Sequence, residues 1–289
     1  MTVATLRPIA ALPDAERRDA EAVGAALGTG PVGVAYSGGV DSAVLLAVAH
    51  CVLGADKALG ILAVSPSLAA AERRTAHEVA AIIGARLVEV ETHELEVAEY
   101  AANPVDRCYY CKDQLFTAID DSVLGQYGLD AVAYGENADD AERVDRPGSR
   151  AASEHRVLRP LAAAGLTKAR VRGLARAFGL PVADKPASPC LASRIPHGEP
   201  VTAEKLRAIE VAEEAVRGLG FSDCRVRHHG DVARIELPAE ELPRACEPDV
   251  RSELLAGVLA AGFRYVTVDL RRIQSGAMTL QILRRNDRG

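Results

Sequence analysis

A short polar segment with two adjacent glycines constrains the fold of this chain more than any other feature. The segment Ser37-Gly38-Gly39-Val40-Asp41-Ser42 joins an apolar, β-branched run at residues 32–36 to an apolar stretch at residues 43–51. This order is typical of a strand that turns through glycines directly into a helix. Backbone N–H groups and the positive end of the helix dipole then point at one place. The sequence therefore predicts a phosphate-binding loop.

Strand and helix patterns alternate along most of the chain. After a lead-in helix at residues 12–27, apolar runs predict strands at residues 58–64, 86–90 and 131–134, and helical spacing predicts helices at residues 69–83, 111–127 and 168–178. Such alternation favours right-handed βαβ units and an α/β fold built on a parallel sheet.

The pattern changes after a proline-rich loop at residues 185–198. The remaining patterns predict helices at residues 203–219 and 248–261, a hairpin of residues 225–229 and 233–237, and a strand at residues 265–270. This is a smaller α+β unit, and the two predicted domains therefore span residues 12–198 and 199–276.

Composition limits the classes of protein to which the chain can belong. Its 289 residues carry a formal net charge of −6, which disfavours a nucleic-acid partner because neutralising a polyanion needs a basic surface. We found no secretory leader pattern and no apolar run of about 18 residues, so we expect a cytoplasmic protein that does not enter a membrane.

Polar residues follow several predicted strands, where the ligands of an open α/β sheet collect. The phosphate loop lacks the lysine and spacing of a Walker A loop, and it is not a dinucleotide fingerprint. Asp41 and Asp139 offer oxygen ligands for Mg²⁺ carried by nucleotide phosphates. The predicted ATP site consists of Ser37, Gly38, Gly39, Val40, Asp41, Ser42, Ser65, Ser67, Gly135, Asn137, Asp139 and Lys185.

Three cysteines lie in polar surroundings. Cys108 and Cys111 form a Cys-Xaa-Xaa-Cys pair, and Cys190 lies in a distant polar loop. The pair alone is open to zinc, a redox couple or an iron–sulfur cluster, and the third cysteine strengthens the case for metal or sulfur chemistry.

The other three cysteines lie among apolar neighbours. Cys51, Cys224 and Cys246 are predicted to be buried small hydrophobic residues.

Arginines are concentrated near the predicted hairpin of an otherwise acidic chain. Alternation along a strand places Arg225 and Arg227 on one face, spaced for a phosphate or a carboxylate. Ser193 and Arg194 add further donors. The neighbours His228 and His229 are candidate acids or phosphate donors, and for at least one of them a structural role is the favoured interpretation.

Taken together, these motifs resemble the LarE family of ATP-dependent sulfur insertases. The resemblance spans roughly residues 27–276 and is carried by the phosphate loop, Ser65-Pro66-Ser67, Asn103-Pro104, Arg107-Cys108-Tyr109-Tyr110-Cys111-Lys112, Asn137-Ala138-Asp139-Asp140, Lys185-Pro186-Ala187-Ser188-Pro189-Cys190-Leu191-Ala192-Ser193-Arg194-Ile195-Pro196 and Arg225-Val226-Arg227-His228-His229-Gly230-Asp231. It implies a Rossmann-like PP-loop domain of the adenine nucleotide alpha hydrolase type.

The resemblance also implies a reaction. LarE enzymes adenylate the carboxylates of pyridinium-3,5-biscarboxylic acid mononucleotide, release pyrophosphate and form thiocarboxylates for the nickel-pincer cofactor of lactate racemase. Asp41, Cys108, Cys111 and Cys190 are the implied catalytic residues.

Two sulfur sources occur in the family. Some members destroy a cysteine at the position of Cys190, whereas others hold a [4Fe–4S] cluster with three cysteines. Because Cys108, Cys111 and Cys190 are all present, we expect a cluster whose fourth iron can carry the extra sulfide.

Further expectations come from the same resemblance. It implies a small nucleotide substrate, a homo-oligomer, which the family suggests is a hexamer, and transfer of the product to a nickel-insertion protein. The implied substrate-binding residues are Ser193, Arg194, Glu213, Arg225, Arg227 and Glu236.

Three other functions fit part of the sequence. A tRNA thiolation enzyme shares the loop and the cysteines but needs a basic surface or an added RNA-binding domain. An ammonia-dependent synthetase that adenylates a carboxylate gives the three cysteines no role. A nucleotide-sensing protein would release no pyrophosphate.

Overall fold

The computed structural model describes residues 6–141 and 147–274. The last two residues of the predicted second domain, 275 and 276, lie outside these ranges. The helices are α1 (Asp14–Leu27), α2 (Val40–Leu53), α3 (Ala70–Ile83), α4 (Ala98–Ala101), α5 (Arg107–Ser122), α6 (Leu124–Tyr127), α7 (Ala138–Ala141), α8 (Pro147–Glu154), α9 (Pro160–Ala163), α10 (Lys168–Phe178), α11 (Ala203–Gly218), α12 (Leu242–Ala245) and α13 (Pro248–Ala260). The strands are β1 (Val32–Ala35), β2 (Ala58–Val64), β3 (Arg86–Glu91), β4 (Ala131–Tyr134), β5 (Arg225–His229), β6 (Val232–Glu236) and β7 (Tyr265–Val268).

The chain divides into two compact units. The first contains the described residues up to Glu94 together with Asp106–Ser188, and the second contains Leu95–Val105 and the described residues from Pro189 onward. The predicted bounds of 12–198 and 199–276 stay a prediction.

A four-stranded parallel sheet forms the centre of the first unit, which confirms the predicted α/β fold. The strand order is β3-β2-β1-β4, and β1 lies between β2 and β4 with Ala35 opposite Ile61 and Tyr134. All four strands therefore end at the same edge of the sheet, and the loops that follow them meet there.

Helices cover both faces of this sheet. Helices α1, α2, α3 and α10 contribute to one apolar cluster, and α5 and α8 contribute to the other. Nine residues of α2 are buried, as expected for a helix that is apolar all round. This burial fixes the start of α2 at the end of β1.

The structure corrects the prediction of one helix at residues 111–127. Helix α5 begins at Arg107, and Val123 separates it from α6. The early start has a tertiary cause, because Tyr109 in the first turn donates to Glu154 of α8 over 2.6 Å and stacks beneath Arg150. Helix α8 itself was not predicted.

The second unit contains a three-stranded sheet in the order β5-β6-β7. Strands β5 and β6 form the predicted antiparallel hairpin, and β7 pairs parallel to β6 after helix α13. Apolar residues of α11, α13 and the sheet form its core.

The segment Leu95–Val105 belongs to the second unit through backbone contacts. Asn103 has a φ of 57°, which asparagine tolerates better than most residues. Its side-chain amide donates to the carbonyl groups of Pro196 and Glu199 over 2.8 and 3.0 Å. This motif asparagine therefore holds the backbone of residues 195–199.

Among the described helices, none combines the length and the apolar character needed to cross a membrane.

Candidate functional site

The glycine segment forms the predicted link between β1 and α2. Gly38 has a φ of 72°, and a Cβ atom there would lie 2.9 Å from the backbone of Ala76. A side chain at this position would therefore strain the turn. Gly39 caps α2 without a side chain, so the first N–H groups of the helix are left for a ligand.

The two serines of this loop stabilise its turn. Ser42 Oγ donates to the carbonyl of Gly39 over 3.1 Å and accepts from the N–H of Ser37 over 3.2 Å. These bonds hold the backbone in the bent form that a phosphate would meet.

The end of β4 packs directly on the loop. A Cβ atom at Gly135 would lie 2.9 Å from the amide nitrogen of Ser42 and 3.1 Å from the carbonyl carbon of Asp41. Gly135, predicted as an ATP-binding residue, therefore allows the two backbones to approach each other.

The Asp41 carboxylate is held by two neighbours. Lys168, the first residue of α10, forms an ion pair with Asp41 through Nζ, and Asn137 donates to Asp41 Oδ1 over 3.1 Å. The backbone N–H of Lys168 also donates to Asp139 Oδ2 over 2.8 Å. The predicted residues Asp41, Asn137 and Asp139 thus meet in one cluster around Lys168.

Ser65 and Ser67 follow β2 and form a turn. The N–H of Ser67 donates to Ser65 Oγ over 3.2 Å, and Ser65 donates to the carboxylate of Glu94. Glu94 is buried and also accepts from Thr92 over 2.8 Å. The turn is therefore anchored on a buried acid.

Lys185 is paired within the first unit. Its ammonium group lies 2.6 Å from Glu72 of α3, and its carbonyl accepts from Arg172 over 3.0 Å. A role for Lys185 at nucleotide phosphates stays a prediction, and it would require Lys185 to exchange Glu72 for phosphate.

Cys108 and Cys111 lie in the first turns of α5, three residues apart and so on one side of the helix. The next residue, Lys112, places its ammonium group 4.1 Å from the centre of the Tyr134 ring. Tyr134 ends β4 and precedes Gly135, which contacts the phosphate loop. The cysteine pair is therefore attached to the sheet edge that carries this loop.

Cys190 belongs to the second unit, where it is exposed at the start of a 3₁₀ turn, Leu191–Arg194. Within residues 6–141 and 147–274, no three His, Cys, Asp or Glu side chains form a metal-binding group. Three thiols are nevertheless the donor set that a cubane cluster uses. Such a cluster needs ligands from both units.

The predicted substrate-binding residues come together in the second unit. Arg194 pairs with Glu213 over 2.8 Å, and Arg227 pairs with Glu236 over 2.7 Å. These four side chains are buried. Ser193 joins both pairs, because its hydroxyl accepts from Arg194 and its carbonyl accepts from Arg227.

Arg225 is held close to its own strand. Its Nη1 contacts Asp223 Oδ1 at 2.5 Å and donates to the carbonyl of Cys224 over 2.7 Å. Substrate binding by Arg225 stays a prediction, as it does for the other members of this group.

Comparison with known proteins shows the family. No protein-family model matches the sequence. The chain is 43% identical over 245 residues to an uncharacterized protein of Synechocystis sp., covering 85% of this chain and 90% of that protein. It is 35% identical over 247 residues to the pyridinium-3,5-bisthiocarboxylic acid mononucleotide synthase of Lactiplantibacillus plantarum, covering 86% of this chain and 88% of the synthase. The chain belongs to the LarE family.

A more distant relative has a similar extent. An uncharacterized protein of Methanocaldococcus jannaschii is 27% identical over 237 residues, covering 82% of this chain and 88% of that protein. The LarE sequence pattern is therefore matched across both units of this chain.

The prediction for the three remaining cysteines of this LarE-family chain is partly wrong. Cys224 is buried, and burial raises its pKa to about 12. Cys51 is partly buried, and burial raises its pKa as well. Cys246 is exposed, because it follows the short helix α12 and its side chain is not part of the apolar core.

The two histidines of the LarE motif differ. His228 is buried with its ring 5.2 Å from that of Phe263, and burial lowers its pKa. His229 is exposed and accepts from Arg234 over 3.2 Å, and its pKa is also lowered, first by desolvation. A structural role suits His228, which agrees with the favoured interpretation for one of the pair.

Sequence reasoning missed two residues at the LarE sheet edge. Lys168 follows the helix cap Thr167, and that cap signal could have placed its side chain at the start of α10. Glu94 carries no comparable signal, because a buried acid after a strand reads as a surface turn residue.

Proposed function

We propose that this chain uses ATP to adenylate the carboxylates of pyridinium-3,5-biscarboxylic acid mononucleotide and converts them to thiocarboxylates. The observation that carries the proposal is 35% identity, over 88% of its length, to a protein named for synthesis of the bisthiocarboxylic product. The phosphate loop supports it, because its geometry suits a departing pyrophosphate.

In the first step, a carboxylate oxygen of the substrate attacks the α-phosphorus of ATP and pyrophosphate leaves. The N–H groups at the start of α2 would stabilise the charge that develops on pyrophosphate. Lys168 would hold Asp41 in place through the ion pair seen here. Mg²⁺ bound to the nucleotide phosphates is part of this proposal, with Asp139 as a candidate ligand.

In the second step, sulfur attacks the acyl adenylate, the C–O bond to AMP breaks, and a thiocarboxylate is formed. Cys108, Cys111 and Cys190 would hold a [4Fe–4S] cluster, whose chemistry is to supply a sulfide from its open iron. In the alternative route, Cys190 would form a thioester with the substrate. Loss of its Cα proton would then leave dehydroalanine in the chain and sulfur on the product.

A coupled assay tests the proposal. Pyrophosphate release from ATP is measured with and without the pyridinium substrate, and the thiocarboxylate product is followed by mass spectrometry. We expect release to require the substrate, and C190S to abolish the thiocarboxylate product. Release that instead requires tRNA or ammonia would overturn the assignment, and no release at all would indicate a binding protein.

Iron and acid-labile sulfide analysis of anaerobically prepared protein separates the two sulfur sources. A cluster enzyme contains both elements and turns over repeatedly. A protein without iron that forms product once, and then lacks the mass of one sulfur atom, uses Cys190 as the donor.

Location and assembly complete the proposal. A cytoplasmic homo-oligomer, with a hexamer as the expected size, would pass its product to a nickel-insertion protein. Light scattering of the purified chain tests the assembly.

A further inference from the structure

The turn that carries Cys190 is fixed by one arginine. Arg194 Nη1 donates to the carbonyl of Pro189 over 2.7 Å and to the carbonyl of Cys190 over 3.3 Å. The same nitrogen donates to Ser193 Oγ over 2.8 Å. Three groups on both sides of the cysteine are therefore attached to one side chain.

The other side of the guanidinium group is attached to Glu213 of α11. Nε donates to Oε1 over 2.8 Å and Nη2 donates to Oε2 over 3.2 Å. The side chains of Arg194 and Glu213 are 2% and 0% exposed. A buried bidentate pair of this kind is directional, and either charge would be strongly destabilised without the other.

Glu213 is itself held from two further directions. It accepts from the N–H of Val226 in β5 over 3.1 Å and from Arg217 over 2.6 Å. Burial opposes its ionisation, but the nearby charges of Arg194 and Arg217 hold the pKa of Glu213 below its ordinary value. Arg194 thus links the cysteine turn to both α11 and β5.

A second arginine contacts the same turn. Arg227 Nη1 donates to the carbonyl of Ser193 over 3.0 Å. All three nitrogen atoms of Arg194 already donate to protein groups, so a substrate anion would have to displace a buried partner to bind it. Attachment of the turn is therefore the role that its contacts support.

We propose that Arg194, anchored on Glu213, is a positioning residue that holds the Cys190 turn in the conformation needed for sulfur transfer. The inference rests on the proposed function for the transfer itself, whereas the attachment of the turn can be measured without it.

The first experiment compares R194K with R217Q by amide hydrogen exchange. Lysine keeps the charge but cannot bind Glu213 and the two carbonyls together. Arg217 binds the same carboxylate without contacting the turn, and it is therefore the matched control. We expect exchange of residues 189–195 to rise about tenfold in R194K and to stay at the wild-type rate in R217Q.

The second experiment measures coupling. Because adenylation does not use Cys190, R194K should release pyrophosphate with the wild-type KM for ATP but form about tenfold less thiocarboxylate per pyrophosphate. R217Q should keep the wild-type ratio. If R194K does not fold, E213Q, which preserves the shape of Glu213, takes its place in both experiments.

The outcomes are separable. Wild-type exchange of the turn in R194K, equal loosening in R217Q, or a change confined to the KM for the pyridinium substrate would each overturn the positioning role. If wild-type protein forms no thiocarboxylate, the proposed function fails, and the exchange data still decide whether Arg194 holds the turn.

Discussion

At the scale of single residues, the site depends on pairing of charges. Asp41 in the phosphate loop pairs with Lys168 and accepts from Asn137. The loop contains no lysine of its own, so the cation nearest to it comes from the start of α10. Lys168 therefore controls both the charge and the orientation of Asp41.

We expect K168M to lower pyrophosphate release roughly 10- to 100-fold, since charged hydrogen bonds contribute about 1.5–3 kcal/mol. Lys57, whose Nζ donates to the carbonyl of Thr29 over 3.2 Å at an exposed position, gives the control variant K57M. Steady-state rates of pyrophosphate release compare the two. Equal activity of K168M and K57M would show that Asp41 does not need its partner.

At the scale of elements, α5 carries two of the candidate cysteines and is clamped to α8. His155 of α8 lies 3.0 Å from Asp113 and 3.0 Å from Asp120, both on α5. Its ring also contacts Phe116. The position of the cysteine helix therefore depends partly on a group that titrates near neutral pH.

The charge of His155 predicts a pH dependence of stability. Burial lowers its pKa, but the bonds to Asp113 and Asp120 outweigh burial, and the net pKa is raised. A raised pKa stabilises the fold fully below the unfolded value of about 6.5, and this contribution is lost as pH rises through the folded value.

Thermal unfolding between pH 6 and pH 8 tests this dependence. We expect the wild-type Tm to fall relative to that of H155N as pH increases, so that the two curves converge at alkaline pH. A constant difference between the variants would contradict the charged clamp.

At the scale of the whole molecule, the cysteines belong to different units. Cys108 and Cys111 lie in the first and Cys190 in the second. A three-cysteine cluster therefore depends on the complete chain and not on either unit alone.

Cysteine substitution tests this dependence. We expect C108S, C111S and C190S each to reduce bound iron severalfold after anaerobic reconstitution, because an iron without its thiolate is readily lost. C246S removes an exposed cysteine outside the set and should retain wild-type iron. Iron retained in all four variants would exclude these ligands.

The sequence by itself determined the parallel sheet and the phosphate loop, because both depend on local patterns. Glycines between a strand and a helix have one common structural use, and strands β2 and β4 begin and end at the predicted residues. The hairpin of β5 and β6 was also predicted, from its alternation and its central glycine.

Only the tertiary structure decided how charged side chains are paired and where α5 begins. Lys168 meets Asp41 across 127 positions of sequence, and Glu72 meets Lys185 across 113. Such pairs leave no local pattern, because neither residue has a preferred partner until the fold brings them together. For the same reason, arginines that read as substrate ligands proved to contact buried carboxylates of their own unit.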